Sequence, residues 1–197
     1  MLYSYVIEHD HGFAPHPRGR YCTLVHCKFG GKYGRRNIVE LANVGDWIVG
    51  TGGKSRLSAG NGKIIYFMRV DEKLKFEDYL TDSRFEHRLD RKDLGLNNKF
   101  ALVSRTFWYF GRGAINIQKI PRFGLLHPLE KRGPWFRSDF NEKYINSLTH
   151  WFENNYSPGI HDEPCSPLPS IQFRSKCMTK RIVKNKVSCY KKTNKCQ

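Results

Sequence analysis

The sequence predicts an α+β fold, built as a small, strongly bent antiparallel β-sheet or a β-barrel with flanking helices and a basic C-terminal tail. Short apolar, β-branched and aromatic runs follow one another over residues 2–120. A single long amphipathic segment comes late, at residues 139–156. Strands and helices do not alternate regularly, which argues against a doubly wound parallel sheet.

Three strands are predicted in the N-terminal half. Residues 2–8, LYSYVIE, form the first because aromatic and β-branched side chains favour strands. Within VGDWIVGTGG, residues 47–51 form a second, short and apolar strand, and KIIYFMRV at residues 63–70 forms the third. A Gly-Asn-Gly tip at residues 60–62 is typical of a hairpin turn. The second and third strands are therefore predicted to be adjacent and antiparallel.

After the third strand, a short helix is predicted over residues 76–85, where aromatic and apolar side chains have helical spacing. Strands follow at residues 100–104 and 106–110, with a possible continuation at 114–120. The long helix at residues 139–156 can be capped by Asp139 or Asn141. Its predicted buried face consists of Phe140, Tyr144, Ile145, Leu148, Trp151 and Phe152.

Length and composition indicate one globular domain with an appendage, since the chain has 197 residues and 39% hydrophobic content. We predict a domain over residues 1–164, a proline-rich linker over 165–173 and a flexible tail over 174–197. No run approaches the roughly 20 apolar residues of a membrane span. Charge appears already at Glu8, so no signal peptide is expected and the predicted location is cytoplasmic.

The charge of the chain predicts a polyanionic partner, and nucleic acid or a nucleotide is the first candidate. The formal net charge is +16. Residues 174–197 carry nine of the 34 Lys and Arg residues and no Asp or Glu, which leaves 25 basic against 18 acidic residues elsewhere. The tail is therefore expected to add salt-dependent, sequence-independent affinity for nucleic acid. The alternative is a solubilising tail on a generic basic domain.

The cysteines predict neither a metal site nor a disulfide framework. Cys22 and Cys27 are spaced CTLVHC, but the second close pair that zinc sites normally use is missing. Without a secretory signal, free thiols are expected. The sequence also lacks the phosphate-binding P-loop ending and the dinucleotide-binding glycine pattern, so no cofactor is predicted.

Residues 10–28, DHGFAPHPRGRYCTLVHCK, are the strongest candidate for a functional segment. Two prolines, two glycines, three histidines and two cysteines lie within it, and it has neither helical nor strand periodicity. Residues 23–27 form either a short strand or a helical turn. An irregular polar and aromatic segment of this kind is often held up as a binding site by a rigid scaffold. The alternative is a surface loop restrained by its prolines.

A second candidate segment is the glycine-rich turn at residues 50–53, where a missing side chain would let a ligand approach the backbone. We expect residues 10–27 to fold over this turn and to enclose one base-sized pocket. The candidate base-binding residues are Asp10, Phe13, Tyr21, Cys22, Thr23, Gly50, Thr51 and Gly52. The candidate contacts to a nucleic-acid backbone are Lys28, Arg35, Arg36, Arg69 and Arg112. Trp47, Trp108 and Phe110 are further aromatic candidates, although an apolar strand suggests a core position for Trp47.

Several segments resemble the nucleotide modification associated domain family, type 2. They are DHGFAPHPRGRYCTLVHCK, VGDWIVGTGG, IIYFMRVDEKLKFEDYLTDSRF and FWYFGRGAI, in that order, and the resemblance extends from residue 3 to about residue 164. It implies a link to DNA base modification in phage or bacterial conflict systems, without establishing an activity.

A second resemblance concerns the fold. A Gly-Asp turn, a short apolar strand and an apolar strand ending in Arg-Val before an acidic, aromatic helix are similar to the PUA-like barrels. These include the EVE, ASCH and YTH domains, which hold a modified base in a pocket. The resemblance implies a PUA-like β-barrel that binds a base.

The competing hypothesis is an enzyme of nucleotide or DNA base modification. Cys22 or Cys27 could act as a nucleophile served by His26 or by His9, His11 or His16. Asp10 could instead act as a general base. A pocket that holds Asp10 and Cys22 against a base would favour the enzyme, whereas an aromatic cage without a nucleophile would favour a binding module. The sequence leaves the oligomeric state open.

Overall fold

The computed structural model describes residues 1–27, 37–86, 98–122, 129–130 and 135–167. In chain order, the strands are β1 (Leu2–Ile7), β2 (His16–Arg18), β3 (Tyr21–Leu24), β4 (Trp47–Gly52), β5 (Lys63–Arg69), β6 (Glu72–Lys75), β7 (Phe100–Ser104), β8 (Phe107–Tyr109), β9 (Ile115–Asn116), β10 (Phe136–Arg137) and β11 (Gly159–Ile160). The helices are α1 (Ile38–Leu41), α2 (Phe76–Thr81) and α3 (Glu142–Asn155), with 3₁₀ turns at Ser83–Phe85, Gly111–Gly113 and Ile117–Lys119. The predicted α+β class is confirmed. The basic tail lies outside the described residues.

The larger sheet has the strand order β10-β1-β4-β5-β8-β11, and β9 also pairs with β5. The predicted antiparallel pairing of β4 with β5 is confirmed, with Val49 opposite Phe67 and an irregularity between Gly50 and Thr51. The sequence predicted an antiparallel sheet, but the larger sheet is mixed, because β1 runs parallel to β4 and β11 runs parallel to β8.

The smaller sheet is antiparallel, in the order β2-β3-β7-β6. It corrects the prediction that residues 10–28 are irregular apart from a short strand or helical turn at residues 23–27. Instead, β2 and β3 form a hairpin in which Arg18 lies opposite Tyr21. Pro17 is compatible with this ladder because β2 is an edge strand, where a missing N–H is tolerated. Gly19, with φ of 55°, supplies the left-handed conformation of the turn.

The two sheets do not close into a barrel within the described ranges, so the PUA-like barrel predicted from the sequence is not confirmed. Apolar side chains of both sheets share one core, in which Tyr5 and Ile48 from the larger sheet pack with Leu24 and Leu102 from the smaller. Two layers packed across a common core achieve the same burial as a barrel without a continuous ring of strands.

The opposite face of the larger sheet is covered by α3. Val49, Phe67 and Trp108 from the sheet pack against Leu148 and Phe152 from the helix. Alternate residues of a strand point to opposite faces, so Ile48 and Val49 serve different cores.

The predicted helix at residues 139–156 is observed as α3, and Asn141 is its cap. The Asn141 side-chain oxygen accepts a hydrogen bond from the Tyr144 N–H at 2.7 Å. The side chains of Tyr144, Ile145, Leu148 and Phe152 are buried, as their spacing predicts. Within the described ranges, the structure contains no helix that combines the length and the apolar character needed to cross a membrane.

Candidate functional site

The β2–β3 hairpin and the segment from α2 to Phe85 form the walls of a cavity of about 260 Å³. This volume is just below the roughly 300–1,000 Å³ of typical ligand pockets, so the cavity suits one small ring system. We call it the Tyr21 cavity. Its lining residues are His16, Arg18, Gly19, Arg20, Tyr21, Thr23, Tyr79, Arg84 and Phe85.

Three aromatic rings of the Tyr21 cavity contact one another. The Tyr79 and Phe85 rings are stacked with their centroids 4.7 Å apart, and Tyr21 meets Phe85 edge-on at 5.7 Å. Tyr79 and Phe85 are buried, whereas Tyr21 is half-buried. Tyr21 is therefore the ring of this cluster that retains the most surface for another flat group.

Arg84 is held over two of these rings by a pair of carboxylates. Its guanidinium carbon lies 5.6 Å from the Tyr21 centroid and 5.0 Å from the Phe85 centroid. Its two terminal nitrogens donate to the two Glu72 carboxylate oxygens at 2.8 and 2.9 Å, and Asp82 accepts further hydrogen bonds from the same guanidinium. The bidentate geometry fixes the orientation of Arg84.

These hydrogen bonds also determine the protonation of the group. Arg84 lowers the pKa of both Glu72 and Asp82 below their usual values, chiefly through side-chain hydrogen bonds. The two carboxylates in turn raise the pKa of Arg84. All three groups are therefore charged at neutral pH, and Arg84 forms a wall of the cavity whose charge is largely compensated.

Two buried hydroxyls are among the polar groups that line the Tyr21 cavity. Thr23 Oγ1 and the Tyr79 hydroxyl oxygen lie 3.1 Å apart and are hydrogen-bonded, and either can be the donor. Because a hydroxyl both donates and accepts, this pair can adapt to a donor or an acceptor on the edge of a ligand.

A second depression, of about 300 Å³, adjoins the first. Gly19, Arg20 and Tyr21 line both of them, so that the hairpin tip is their common wall. The remaining lining residues of the second depression are Arg105, Phe107, Pro158 and Gly159. We call it the Arg105 depression.

The Arg105 depression is anchored to the same carboxylate as Arg84. A terminal guanidinium nitrogen of Arg105 donates to the Glu72 carboxylate at 2.6 Å, and the backbone N–H of Arg105 donates to the Asp71 carboxylate at 2.6 Å. Asp71 also lies 3.9 Å from Arg69 Nε. Arg69, one of the predicted backbone contacts, is thereby linked to this depression through Asp71.

The structure brings together part of the predicted base-binding set. Tyr21 and Thr23 line the Tyr21 cavity. Phe13 is partly buried and packs against the same small cluster as Tyr21, the cluster built around Tyr79 and Phe85. These three residues are the members of the predicted set that converge on one place.

Asp10 lies elsewhere, at the end of β8. One carboxylate oxygen accepts from the Tyr109 hydroxyl at 2.7 Å, and the other accepts from the Cys165 N–H at 3.0 Å. Burial and the neighbouring Asp10 raise the pKa of the Tyr109 hydroxyl well above its usual value. The same two causes raise the pKa of the Cys165 thiol to about 12, so this thiol is protonated at neutral pH. Asp10 thus connects β8 to the segment that follows β11.

The glycine-rich turn belongs to β4 and to the residue after it. A side chain at Gly50 would meet the Tyr66 ring, and one at Gly52 would meet the Gly60 backbone. Thr51 is buried, and its hydroxyl donates to the Tyr5 carbonyl at 3.2 Å. The close approach that we inferred from these glycines is therefore made by the chain itself.

The two thiols of the predicted functional segment face the core between the sheets. Cys22 is 0% exposed and Cys27 is 5% exposed. They lie near the hydrogen-bonded hydroxyls of Tyr5 and Tyr66, and burial above all raises the pKa of both tyrosines. His26 is exposed. Buried apolar surroundings are those of a structural thiol, whereas reactive thiols are usually partly exposed.

The other predicted backbone contacts are not part of this region or are not described. Arg112 pairs with Glu163 at 2.5 Å, on the segment after β11. Lys28, Arg35 and Arg36 lie outside the described residues.

Sequence reasoning missed most of the second wall of the Tyr21 cavity. The pattern of residues 76–85 predicted a helix, but not that its aromatic face meets the β2–β3 hairpin. Arg84, directly before Phe85 in a segment rich in aromatic residues, was the available signal, because arginine often stacks on aromatic rings.

Comparison with known proteins supports the resemblance that the sequence suggested. No curated protein and no solved structure matches the chain. The family model described as nucleotide modification associated domain 2 matches residues 1–94, a span that contains every lining residue of the Tyr21 cavity. The extension of the resemblance to about residue 164, including FWYFGRGAI, stays a prediction. Residues 1–94, just under half of the 197-residue chain, are therefore similar to nucleotide modification associated domain 2.

Proposed function

We propose that this protein is a binding module of a nucleotide-modification system, and that it holds one unstacked base in the Tyr21 cavity. The single observation that carries the proposal is the combination of a half-buried tyrosine ring, a hydroxyl pair and basic side chains around one small cavity. Proteins that bind an unstacked base need an aromatic face for stacking, polar atoms for the base edge and cations for the phosphate.

Each requirement has a candidate group here. The Tyr21 ring supplies the stacking face, with Arg84 and Phe85 limiting its rotation. Thr23 and Tyr79 supply the hydroxyls that meet the base edge. Arg18 and Arg20 are exposed on the hairpin and supply positive charge at the mouth. A ring fixed in place loses little conformational entropy on binding, which favours affinity.

The proposal narrows the site that the sequence predicted. We keep Tyr21 and Thr23 and place the base away from residues 50–53, because the Tyr66 ring and the Gly60 backbone already approach Gly50 and Gly52. Asp10 is left as a structural group, since both of its carboxylate oxygens accept hydrogen bonds from the chain.

A binding role fits these groups better than the enzyme hypothesis. The described residues that line the Tyr21 cavity include no cysteine and no carboxylate. Cys22, although between two lining residues in sequence, is buried in the core on the other side of β3. The two thiols and the Asp10 carboxylate considered from the sequence are therefore separated from the proposed base site, whereas His16 lines it.

The test is a binding measurement on the Tyr21→Ala and Tyr21→Leu variants, with short random-sequence single-stranded DNA and with common and methylated nucleoside monophosphates as probes. Both variants are expected to bind about ten-fold more weakly or worse, because stacking on a ring is worth about 1–3 kcal/mol. Tyr21→Leu retains apolar volume, so it separates the loss of the ring face from the loss of packing.

Phe140→Ala is the matched control. Phe140 is also half-buried, and it also has an arginine over its ring, with the Arg137 guanidinium carbon 4.5 Å from the centroid. This variant is expected to bind the probes as the parent protein does. Unchanged binding in both Tyr21 variants, or an equal loss in Phe140→Ala, would contradict the proposal.

A further inference from the structure

We propose that the site takes a single strand of nucleic acid rather than a free nucleotide. Two successive nucleotides of the strand would lie one on each side of the wall that Arg20 and Tyr21 form between the two spaces. This inference rests on the proposed function, because it assigns one base to the Tyr21 cavity. It adds that the Arg105 depression receives the neighbouring nucleotide.

The first support is the shared wall. Gly19, Arg20 and Tyr21 line both spaces, which have similar volumes of about 260 and 300 Å³. A free nucleotide needs one such space. In a strand, the sugar and base of the next nucleotide follow directly after the first and need a second space beside it. An adjoining space of similar size is what a strand requires.

The second support is the chemistry of the Arg105 depression. Phe107 and Pro158 present apolar surface, and Gly159 adds no side chain to fill the space. Of the two apolar residues that line the depression, Phe107 is buried and Pro158 is exposed. Apolar surface beside a cation suits a sugar or a base joined to a phosphate, since sugars and bases present flat or weakly polar faces.

The third support is the charge at the boundary between the two spaces. Four arginines line them, namely Arg18, Arg20, Arg84 and Arg105. The carboxylates of Glu72 and Asp82 compensate Arg84 and partly compensate Arg105. In the described part of the chain, Arg20 forms no ion pair, and it belongs to both spaces. A phosphodiester that joins two nucleosides would carry its negative charge at this boundary.

Arg105 can contribute to the same contact. Its side chain is 60% exposed despite the hydrogen bond to Glu72. Its position is fixed from two sides, by Glu72 at the guanidinium and by Asp71 at the backbone. A guanidinium has five N–H donors, so Arg105 can bind a phosphate oxygen without releasing Glu72. Arg20 and Arg105, which both line the Arg105 depression, would thus contact the same phosphate.

A base-paired duplex does not fit this arrangement, because a stacked base cannot enter a cavity of this size without being extruded. The expected ligand is a single strand, or a duplex in which the target nucleotide has been flipped out.

The test compares the affinities of the full chain for a nucleoside monophosphate and for the corresponding dinucleotide and short single-stranded DNA. The dinucleotide is expected to bind about ten-fold more tightly, since a further stacked base is worth about 1–3 kcal/mol. Arg105→Gln should remove most of this advantage and leave affinity for the monophosphate within about two-fold, because Arg105 lines the Arg105 depression and not the Tyr21 cavity.

Arg56→Gln is the matched control, since Arg56 is exposed in the loop after β4 and lines neither space. It should retain the dinucleotide advantage. If the monophosphate and the dinucleotide bind equally well, with Tyr21-dependent affinity, the strand inference is wrong and the base-binding function stands. If no probe binds in a Tyr21-dependent manner, both are wrong.

Discussion

Two aromatic clusters on different sheets of this protein have different surroundings. In the cluster under α3, Phe67 stacks between Trp47 at 4.5 Å and Phe152 at 4.7 Å, and Trp108 lies 5.8 Å from Phe67. In the cluster beside the β2–β3 hairpin, ring spacings are similar, but a cavity remains and Tyr21 is half-buried. Ring contacts alone therefore do not distinguish a core from a binding site.

The difference follows from the elements that cover each cluster. The first is covered by α3, a helix of 14 residues whose buried face runs along the sheet. The second is covered by α2, with six residues, and by a 3₁₀ turn of three residues that ends in Phe85. Arg84 completes this short cover with a charged side chain, and a charged group tied to carboxylates cannot pack as tightly as an aliphatic one. A short cover with a polar end leaves room for a ligand.

The largest expected effect is the loss of stability when a ring is removed from the cluster under α3. Phe152→Ala is expected to lower the free energy of unfolding by about 3–5 kcal/mol, because a large cavity would remain under α3. Tyr21→Ala should cost clearly less, since part of the Tyr21 ring is already exposed. The measurement is the urea midpoint of each variant, with the slope of the transition checked for constancy.

Equal losses of unfolding free energy in Phe152→Ala and Tyr21→Ala would contradict the proposed difference between the two clusters. In that case Tyr21 would be a core ring, and its role in binding would need to be tested with Tyr21→Leu alone.

A smaller effect should distinguish two buried hydroxyl pairs. Tyr79 bonds to Thr23 beside the cavity, whereas Tyr66 bonds to Tyr5 in the core between the sheets, at 3.0 Å. Tyr79→Phe and Tyr66→Phe should each cost about 1–3 kcal/mol of stability, because a buried partner loses a hydrogen bond. We expect Tyr79→Phe alone to change which nucleoside monophosphate binds best.

The check is a panel of nucleoside monophosphates measured at a temperature where both variants are folded. An altered preference in Tyr66→Phe, or an unaltered one in Tyr79→Phe, would show that the Thr23–Tyr79 pair does not meet the base edge.

The sequence predicts the parts of the fold that rest on long or strongly patterned segments. The β4–β5 hairpin has two apolar strands around a glycine-rich tip, and α3 has four turns of regular spacing and an asparagine cap. The β2–β3 hairpin escaped prediction because its strands have three and four residues, too few for alternation to show. The parallel pairing of β1 with β4 joins segments about forty residues apart, and no local pattern specifies such a partner.

For a similar reason, the sequence pointed to one wall of the candidate site and not to the other. Tyr21 and Thr23 stand in a segment whose composition is unusual. Their partners Tyr79 and Phe85 lie in a segment whose spacing is that of an ordinary helix, and only the tertiary contact shows that they meet the hairpin. Gly50 and Gly52 show why glycines are ambiguous, because a close approach by the chain, as the Tyr66 ring and the Gly60 backbone make here, leaves the same sequence signature as one by a ligand.

The smallest expected effect is the loss of folding stability at acidic pH from the ion pair between Arg84 and Glu72, beside the β2–β3 hairpin. Arg84 lowers the pKa of Glu72 in the folded protein, so the ion pair stabilises the fold above the ordinary carboxyl pKa, and this contribution is lost as the pH falls through the lowered value. Glu72→Gln should therefore be less stable than the parent by on the order of 1 kcal/mol at neutral pH, and the difference should shrink on acidification. Glu153→Gln, at an exposed carboxylate of α3 that forms no ion pair within the described residues, should match the parent at every pH. Urea midpoints across an acid titration measure both variants. A difference between Glu72→Gln and the parent that stays constant down to strongly acidic pH would show that Glu72 acts by packing, and that the charge network around Arg84 does not hold the cover of the Tyr21 cavity in place.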